Sequence, residues 1–169
     1  MMKKFSIILS LILLGLSSVI CEATTQAGDS QANWEVKNYK SNEQGISLEL
    51  LSKDKQALAS LLFFSNKELD EARDKFLKEL QKGVSAKRAN FLGEVDVNKW
   101  TGYKYLSAGE SLVQAHLTVI IPCGGSRVLI ADVAVPVGSL NAKVNWSRIQ
   151  SVWIAGYNKW VDILARRRI

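Results

Sequence analysis

Residues 111–136 read SLVQAHLTVIIPCGGSRVLIADVAVP, two long apolar segments on either side of Pro122-Cys123-Gly124-Gly125-Ser126. Paired glycines between β-branched runs are typical of a β-hairpin loop. If residues 122–126 form the loop, Ile121 faces Arg127, and alternate residues of both strands share an almost wholly apolar face. The opposite face is also largely apolar, so other elements must cover both sides of the hairpin. This stretch therefore predicts the central hairpin of a layered fold.

Two segments have the apolar periodicity of amphipathic helices and would supply the two covering layers. We expect the first to have Ser65 as its N-cap, with Glu68 completing a capping box, and to end at Gly83. We expect the second to be capped by Asn145 and to run to about Arg166. Its apolar stripe contains three tryptophans spaced seven residues apart, at Trp146, Trp153 and Trp160.

Further strands are predicted from alternating or continuous apolar runs at residues 34–39, 46–52, 57–64, 90–97 and 103–106. Residues 98–102 and 107–110 are expected to be turns. The fold class is therefore α+β: an antiparallel β-sheet with a long central hairpin, covered by two helices in an α/β/α sandwich. Residues 34–169 form a single domain in this interpretation.

The N-terminus has the pattern of a secretory signal. A basic start, Met1-Met2-Lys3-Lys4, precedes an apolar run at residues 5–20 that is too short to span a bilayer comfortably. Residues 1–23 are predicted to be a signal peptide and residues 24–33 a flexible leader. Alternatively Cys21 is the lipidated N-terminus, although Ile20 stands where a small residue is usual. The chain is thus expected to be exported, either periplasmic or secreted, or anchored to a membrane as a lipoprotein.

Composition limits the partners and cofactors. A net charge of +6 is mildly basic and suits anionic lipid or an acidic partner, and export argues against nucleic acid. With one histidine and two cysteines the chain has no zinc cage, and no glycine-rich phosphate loop opens a helix. No metal and no cofactor are therefore expected. Cys123 would remain as a lone thiol in the hairpin loop.

His116 and Asp132 are the strongest candidates for chemistry, because the register above places them directly opposite each other on the less apolar face. A carboxylate beside an imidazole orients the ring and fixes its tautomer, as catalytic bases require. The nucleophile is missing, however, since Cys123 and Ser126 lie several residues away along the strands. The alternative is a cross-strand polar pair that is purely structural.

Two surface features have the chemistry of contact sites. Trp100 is expected at a turn, where it either contacts a ligand or lipid headgroup or folds back over the sheet edge. Arg166, Arg167 and Arg168 follow the second helix, where they either interact with the helix dipole or attract phospholipid.

The layout resembles that of the PsbP-like α/β/α sandwich proteins, which include photosystem extrinsic subunits and small bacterial envelope proteins such as the DcrB-like group. The resemblance is carried by residues 45–50, 65–83, 102–105, 112–135 and 145–164, and not by a diagnostic motif. It implies a non-catalytic accessory or binding protein of the cell envelope, and it transfers no binding residue. Two alternatives remain: a hydrolase that uses His116 and Asp132, and a carrier of a small apolar ligand in a cavity beneath the tryptophan stripe.

Overall fold

The computed structural model describes residues 33–167. Within them, seven strands and two helices follow one another in the chain. The elements are β1 (Trp34–Asn42), β2 (Gly45–Ser52), β3 (Leu58–Ser65), α1 (Leu69–Ser85), β4 (Ala89–Val97), β5 (Trp100–Ala108), β6 (Val113–Pro122), β7 (Arg127–Val137) and α2 (Trp146–Arg166). The predicted signal peptide, Cys21 and Arg168 lie outside the described residues.

The strands form one antiparallel sheet in the order β1-β2-β3-β7-β6-β5-β4, which confirms the predicted α+β architecture. The hairpin β6–β7 lies at the centre of the sheet, flanked by β3 and β5. β6 and β7 are paired on both edges and covered by a helix on each face, so their side chains must be apolar on both faces. The long apolar runs of β6 and β7 follow from their central position in the sheet.

Each face of the sheet is covered by one helix. Ala72, Phe76 and Leu80 of α1 pack on a cluster that includes Tyr105 and Ile130. On the opposite face, Trp153 and Trp160 of α2 are fully buried, and the Trp153 indole Nε1 donates to the backbone carbonyl of Ala131 at 3.1 Å. The two apolar stripes identified in the sequence are therefore the two faces that hold the sandwich together, each stabilised mainly by the burial of apolar surface.

The central hairpin is shifted by two residues from the predicted register. Ile121 faces Leu129, and His116 faces Ala134, whereas Asp132 faces Thr118. The prediction that His116 and Asp132 are directly opposite is therefore wrong. A two-residue shift preserves the alternation of inward and outward side chains, so both faces keep the predicted composition. Pro122 still pairs, with Val128, so the loop lies one residue later than expected, and Gly124 (φ 79°) and Gly125 (φ 59°) take left-handed conformations within it.

The start of α1 also differs from the prediction. Ser65 is the last residue of β3, where it pairs with Arg127, so it is not the N-cap. The N-cap is Glu68, without a side-chain capping bond, and its Oε1 accepts instead from the Ser126 hydroxyl at 2.5 Å. The predicted end of α1 at Gly83 is wrong as well, because α1 continues to Ser85. Pairing of Ser65 in the sheet outweighed its local capping preference.

Three other local predictions were wrong. The predicted turn at residues 98–102 shortens to two residues, and Trp100 opens β5. The predicted turn at residues 107–110 starts later, because β5 continues through Ser107 to Ala108. Cys123, expected to be a lone thiol, is not free.

Candidate functional site

A groove opens beside α2 at one end of the sheet, with a cavity volume of about 650 Å³. We call it the groove throughout. Five parts of the chain line it: the start of β1, the β2–β3 turn, the end of β7, the loop before α2 and the first half of α2. Its floor is apolar and consists of Trp34, Ala57, Val135, Val137, Ile149 and Val152. Charged side chains stand around this floor, at Lys53, Asp54, Lys55, Lys143 and Arg148.

The β2–β3 turn forms one wall of the groove and is held by its own polar side chains. The Asp54 Oδ1 accepts from the Ser52 hydroxyl at 2.6 Å and from the Gln56 backbone N–H at 3.0 Å. The Ser52 hydroxyl oxygen also accepts from the Ala57 N–H at 3.0 Å, which closes the turn onto β3. The pKa of Asp54 is lowered first by the Ser52 hydroxyl, then by the Gln56 amide, and further by the charge of Arg148 across the groove.

The other wall is the first turn of α2. The Asn145 side-chain oxygen accepts from the Arg148 backbone N–H at 3.2 Å, which confirms the predicted N-cap. This cap sets where α2 begins, and so it fixes Arg148 at the rim and Ile149 and Val152 on the floor. Ile149 is buried, whereas Val152 is only partly buried and presents apolar surface to the groove.

The rim is strongly cationic. Lys53, Lys55, Lys143 and Arg148 are all exposed, and Asp54 is the single carboxylate among the charged groove residues. Within residues 33–167, none of these four cations makes a salt bridge. Because four cations stand against one carboxylate, positive charge dominates the mouth of a largely apolar groove.

A second polar feature lies on the opposite face of the sheet and is buried. His116 Nδ1 lies 3.0 Å from Asp132 Oδ2, and His116 Nε2 lies 2.8 Å from the Ser107 hydroxyl. The Thr118 hydroxyl donates to Asp132 Oδ1 at 2.7 Å and lies 3.0 Å from the Tyr105 hydroxyl. We call these five residues the polar chain. The predicted contact between His116 and Asp132 is thus confirmed, although it runs diagonally across the two strands.

Hydrogen-bond donors and acceptors can be assigned consistently along the polar chain. An ionised Asp132 only accepts, so it receives hydrogen bonds from Thr118 and from His116 Nδ1–H. The Thr118 oxygen can then accept from the Tyr105 hydroxyl, and a neutral His116 ring accepts from Ser107 at Nε2. The Tyr105 ring also stacks on His116, with centroids 4.7 Å apart and planes 3° from parallel. Burial, and next the charge of Asp132, raise the pKa of Tyr105 well above its usual value.

Ser107, His116 and Asp132 have the hydrogen-bond connectivity of a hydrolytic triad, but the remaining requirements are not met. Ser107 and His116 are only 6% and 7% exposed, and Asp132 is 1% exposed. The backbone N–H after the serine, which often stabilises an oxyanion, donates instead to the Arg88 carbonyl at 2.8 Å. A substrate carbonyl therefore has neither access to Ser107 nor this donor. The arrangement satisfies buried polar groups within the sheet.

The predicted surface residues lie apart from both features. Trp100 is half-buried and packs edge-on against Trp153 and Tyr157 of α2, with centroids 6.2 and 5.4 Å apart. Arg166 and Arg167 are exposed at the end of α2, and the Arg166 Nε lies 3.1 Å from Asp162 Oδ2.

Sequence reasoning missed the groove and three members of the polar chain. The groove is assembled from separate parts of the chain, so only its β2–β3 turn has a local signal: a serine two residues before an aspartate. Ser107 was expected in a turn, and Thr118 and Tyr105 read as ordinary strand residues. With β5 continued to Ala108 and the register corrected, the same alternation would have placed all five on one face.

Other classes of site are not seen in residues 33–167. No cluster of three or more histidine, cysteine or acidic side chains is arranged to hold a metal ion. Neither helix in this range is both long and apolar enough to cross a membrane.

Comparison of the chain with models of known protein families and with curated protein sequences gave no match. The resemblance in layout to the PsbP-like sandwich proteins therefore stays a prediction.

Proposed function

We propose that the protein is an exported, non-catalytic binding protein of the cell envelope, and that the groove is its binding site. One observation carries this proposal: the groove combines a cavity of about 650 Å³, an apolar floor and a charged rim. Small-molecule sites are typically concave, of about 300–1,000 Å³, and mostly apolar with a few polar groups that orient the ligand.

The expected cavity between the sheet and the tryptophan stripe is not found at Trp153 and Trp160, so a carrier site at that place is wrong. Trp153 and Trp160 are fully buried against the sheet, so the stripe itself has no accessible space at these residues. The groove begins beside it, at Ile149 and Val152. A carrier function would therefore have to use the groove, where it differs from the binding-protein proposal only in whether the protein transports its ligand or responds to it.

Export is proposed from the N-terminal sequence alone. A basic start, an apolar run at residues 5–20 and a short polar boundary support a signal peptide. The proposed location is periplasmic or secreted, with a lipid anchor on Cys21 as the alternative. Mass spectrometry of the mature N-terminus from the native envelope tests this part: an unprocessed Met1 would contradict it, and an acylated Cys21 would select the anchored form.

The binding site is tested with a neutral apolar dye, N-phenyl-1-naphthylamine, whose fluorescence rises when it leaves water. We expect saturable binding, and we expect Val152→Trp to abolish it by filling the groove. Ile154→Trp is the matched control, because Ile154 lies on the exposed side of the same helix, at 41% exposure. Equal binding by the wild type and Val152→Trp would remove the groove as the site.

A hydrolase is the second candidate, because Ser107, His116 and Asp132 are hydrogen-bonded in the order that serine hydrolysis requires. Burial and the engaged Ala108 amide weigh against it. A fluorophosphonate probe reacts with activated serines, so it tests this candidate directly. We expect no labelling of the folded protein. Labelling that is lost in both Ser107→Ala and His116→Gln would favour the hydrolase.

A further inference from the structure

We infer that the groove binds a small amphiphile with one apolar chain and an anionic head, such as a fatty carboxylate. This inference rests on the proposed function, since it assigns a ligand class to the same groove. It depends on three features of the described residues: the apolar floor, the rim cations without salt bridges and the concave shape.

The floor requires an apolar body in the ligand. Val135, Val137 and Val152 are each only partly buried, although they are aliphatic and lie at the end of a well-packed core. Their exposed surface faces the groove, together with that of Trp34. A hydrocarbon chain placed there would remove apolar surface from water on both sides, and each added methylene should tighten binding by about fourfold.

The rim selects the sign of the head group. Lys53, Lys55, Lys143 and Arg148 have no salt-bridge partner within residues 33–167. Asp54 offsets only part of this charge, because it is one carboxylate among four cations and its Oδ1 is held in its own turn by Ser52 and Gln56. An anionic head would therefore gain charge-assisted contacts, whereas a cationic head of the same size would be repelled.

The shape favours a small ligand over a macromolecular surface. A stable protein interface buries roughly 800 Å² on each partner and is usually broad. The groove instead has the volume of a small-ligand site and is bounded by walls on opposite sides, the β2–β3 turn and the start of α2. A single chain with its head at the rim fits this geometry, and a flat bilayer surface does not reach the floor at Val135 and Ile149.

The test compares probes that share one chain and differ in the head. Dodecanoate, dodecanol and dodecyltrimethylammonium are titrated, below their micelle-forming concentrations, into protein purified after expression of the full chain, with binding measured by dye displacement and calorimetry. We expect dodecanoate to bind about tenfold more tightly than dodecanol, and dodecyltrimethylammonium to bind most weakly. Decanoate should bind more weakly than dodecanoate by about fifteenfold, at about fourfold per methylene.

Removal of rim charge should reduce selectivity without removing the site. The double variant Lys143→Gln/Arg148→Gln is expected to bring dodecanoate to within about twofold of dodecanol, with dodecanol affinity unchanged. The matched control is Lys78→Gln/Lys87→Gln, which removes two exposed lysines from α1 and the turn after it. This control should keep the wild-type preference.

Each contrary result has a distinct meaning. Equal binding of dodecanoate and dodecanol by the wild type would overturn the anionic class, while the groove would stand if Val152→Trp still blocks both. If no single-chain probe binds but anionic vesicles do, with the same dependence on Lys143 and Arg148, the ligand is a membrane surface and the inference is wrong. Probe binding that Val152→Trp leaves intact would remove the proposed function itself. The wild-type comparison needs no variant, so a misfolded variant does not prevent a decision.

Discussion

Replacement of Gly156 by alanine should destabilise the protein, the opposite of what the same change does in an exposed helix. In α2 an added Cβ would lie 2.4 Å from Trp160 Cζ2, 2.5 Å from Cε2 and 2.9 Å from Nε1. These distances are well inside van der Waals contact, so the indole ring must move. Trp160 is fully buried and packs edge-on against Trp34 and Trp153, at centroid distances of 5.2 and 6.1 Å, so the ring has little space to enter.

The expected magnitude is a difference between two effects. Overpacking of a well-packed core costs about 1–3 kcal/mol, and a rigid ring contacted at three atoms places this site at the upper end. The better helix propensity of alanine offsets about 1 kcal/mol. The free energy of unfolding of Gly156→Ala should therefore fall by about 2 kcal/mol, which lowers the melting temperature by about 4–8 °C.

Urea unfolding followed by circular dichroism and tryptophan fluorescence gives the free energy directly. Ala155→Gly, at the exposed neighbouring position, measures helix propensity in the same turn and should cost about 1 kcal/mol. In a Trp160→Phe background the crowded indole atoms are absent, so the added Gly156→Ala change should become neutral or stabilising. A Gly156→Ala protein that is about 1 kcal/mol more stable than the wild type would refute the packing argument.

Substitutions at three further positions have expected outcomes. Tyr157→Phe should stabilise at pH 7 by about 1 kcal/mol, because the buried hydroxyl has no hydrogen-bond partner among residues 33–167. Burial raises the pKa of Tyr157 to about 12, so the folded state holds this proton longer than the unfolded state, and wild-type stability should fall between pH 10 and 12 by about 2–3 kcal/mol more than that of Tyr157→Phe. Asp132→Leu should lower the free energy of unfolding by about 3–5 kcal/mol, because Thr118 and His116 lose their common acceptor. Asp132→Asn keeps an acceptor for Thr118, so it should lower this free energy by only about 1–2 kcal/mol. Equal losses of the two variants in urea unfolding would contradict the polar chain. Asn145→Ala should lower the unfolding free energy by about 1 kcal/mol, and no change would rule out the side-chain cap of α2.

The layers of the fold could be predicted because they follow from local periodicity. Leu117 and Val119 face α2 while Thr118 and Ile120 face α1, as strand alternation requires. Both helical stripes were identified for the same reason. The start of α1 could not be predicted in this way, since Ser65 satisfies a capping pattern in the sequence but is held in β3 by its pairing with Arg127.

The register of the central hairpin could not be predicted from the alternation of apolar residues alone. A one-residue slip exchanges the two faces and is excluded by composition, but a two-residue slip leaves every side chain on the same face. The choice between such registers depends on the loop, and Gly124 and Gly125 both take left-handed backbone conformations that the sequence does not specify uniquely. The His116–Asp132 contact survived the error because diagonal neighbours on one face remain within reach of long side chains.

The groove could not be predicted because each segment that lines it has the composition of an ordinary turn, loop or helix surface. The segment Lys53-Asp54-Lys55-Gln56 has the composition of a solvated turn, and Lys143 and Arg148 have that of a loop and a helix surface. Their common position depends on the order of strands, which brings the β2–β3 turn beside the end of β7. Sequence patterns show which residues share a face of one helix or strand, whereas a binding groove is formed by residues from several elements.

The groove and the polar chain differ in how far the protein would have to open to admit a ligand. Reaction at Ser107 would need a substrate to reach a side chain that is 6% exposed, on central strands whose backbone groups are committed to the sheet. Exposure of Ser107 would separate a hydrogen-bonded chain of five residues, at a cost of several kcal/mol. Occupation of the groove needs no such opening, because Val135, Val137 and Val152 on its floor are already partly exposed. Its cations also have no salt bridges to break among residues 33–167. The polar chain therefore links β5, β6 and β7 through side-chain hydrogen bonds, and ligand binding is expected in the groove, where the end of β7 meets the first turn of α2.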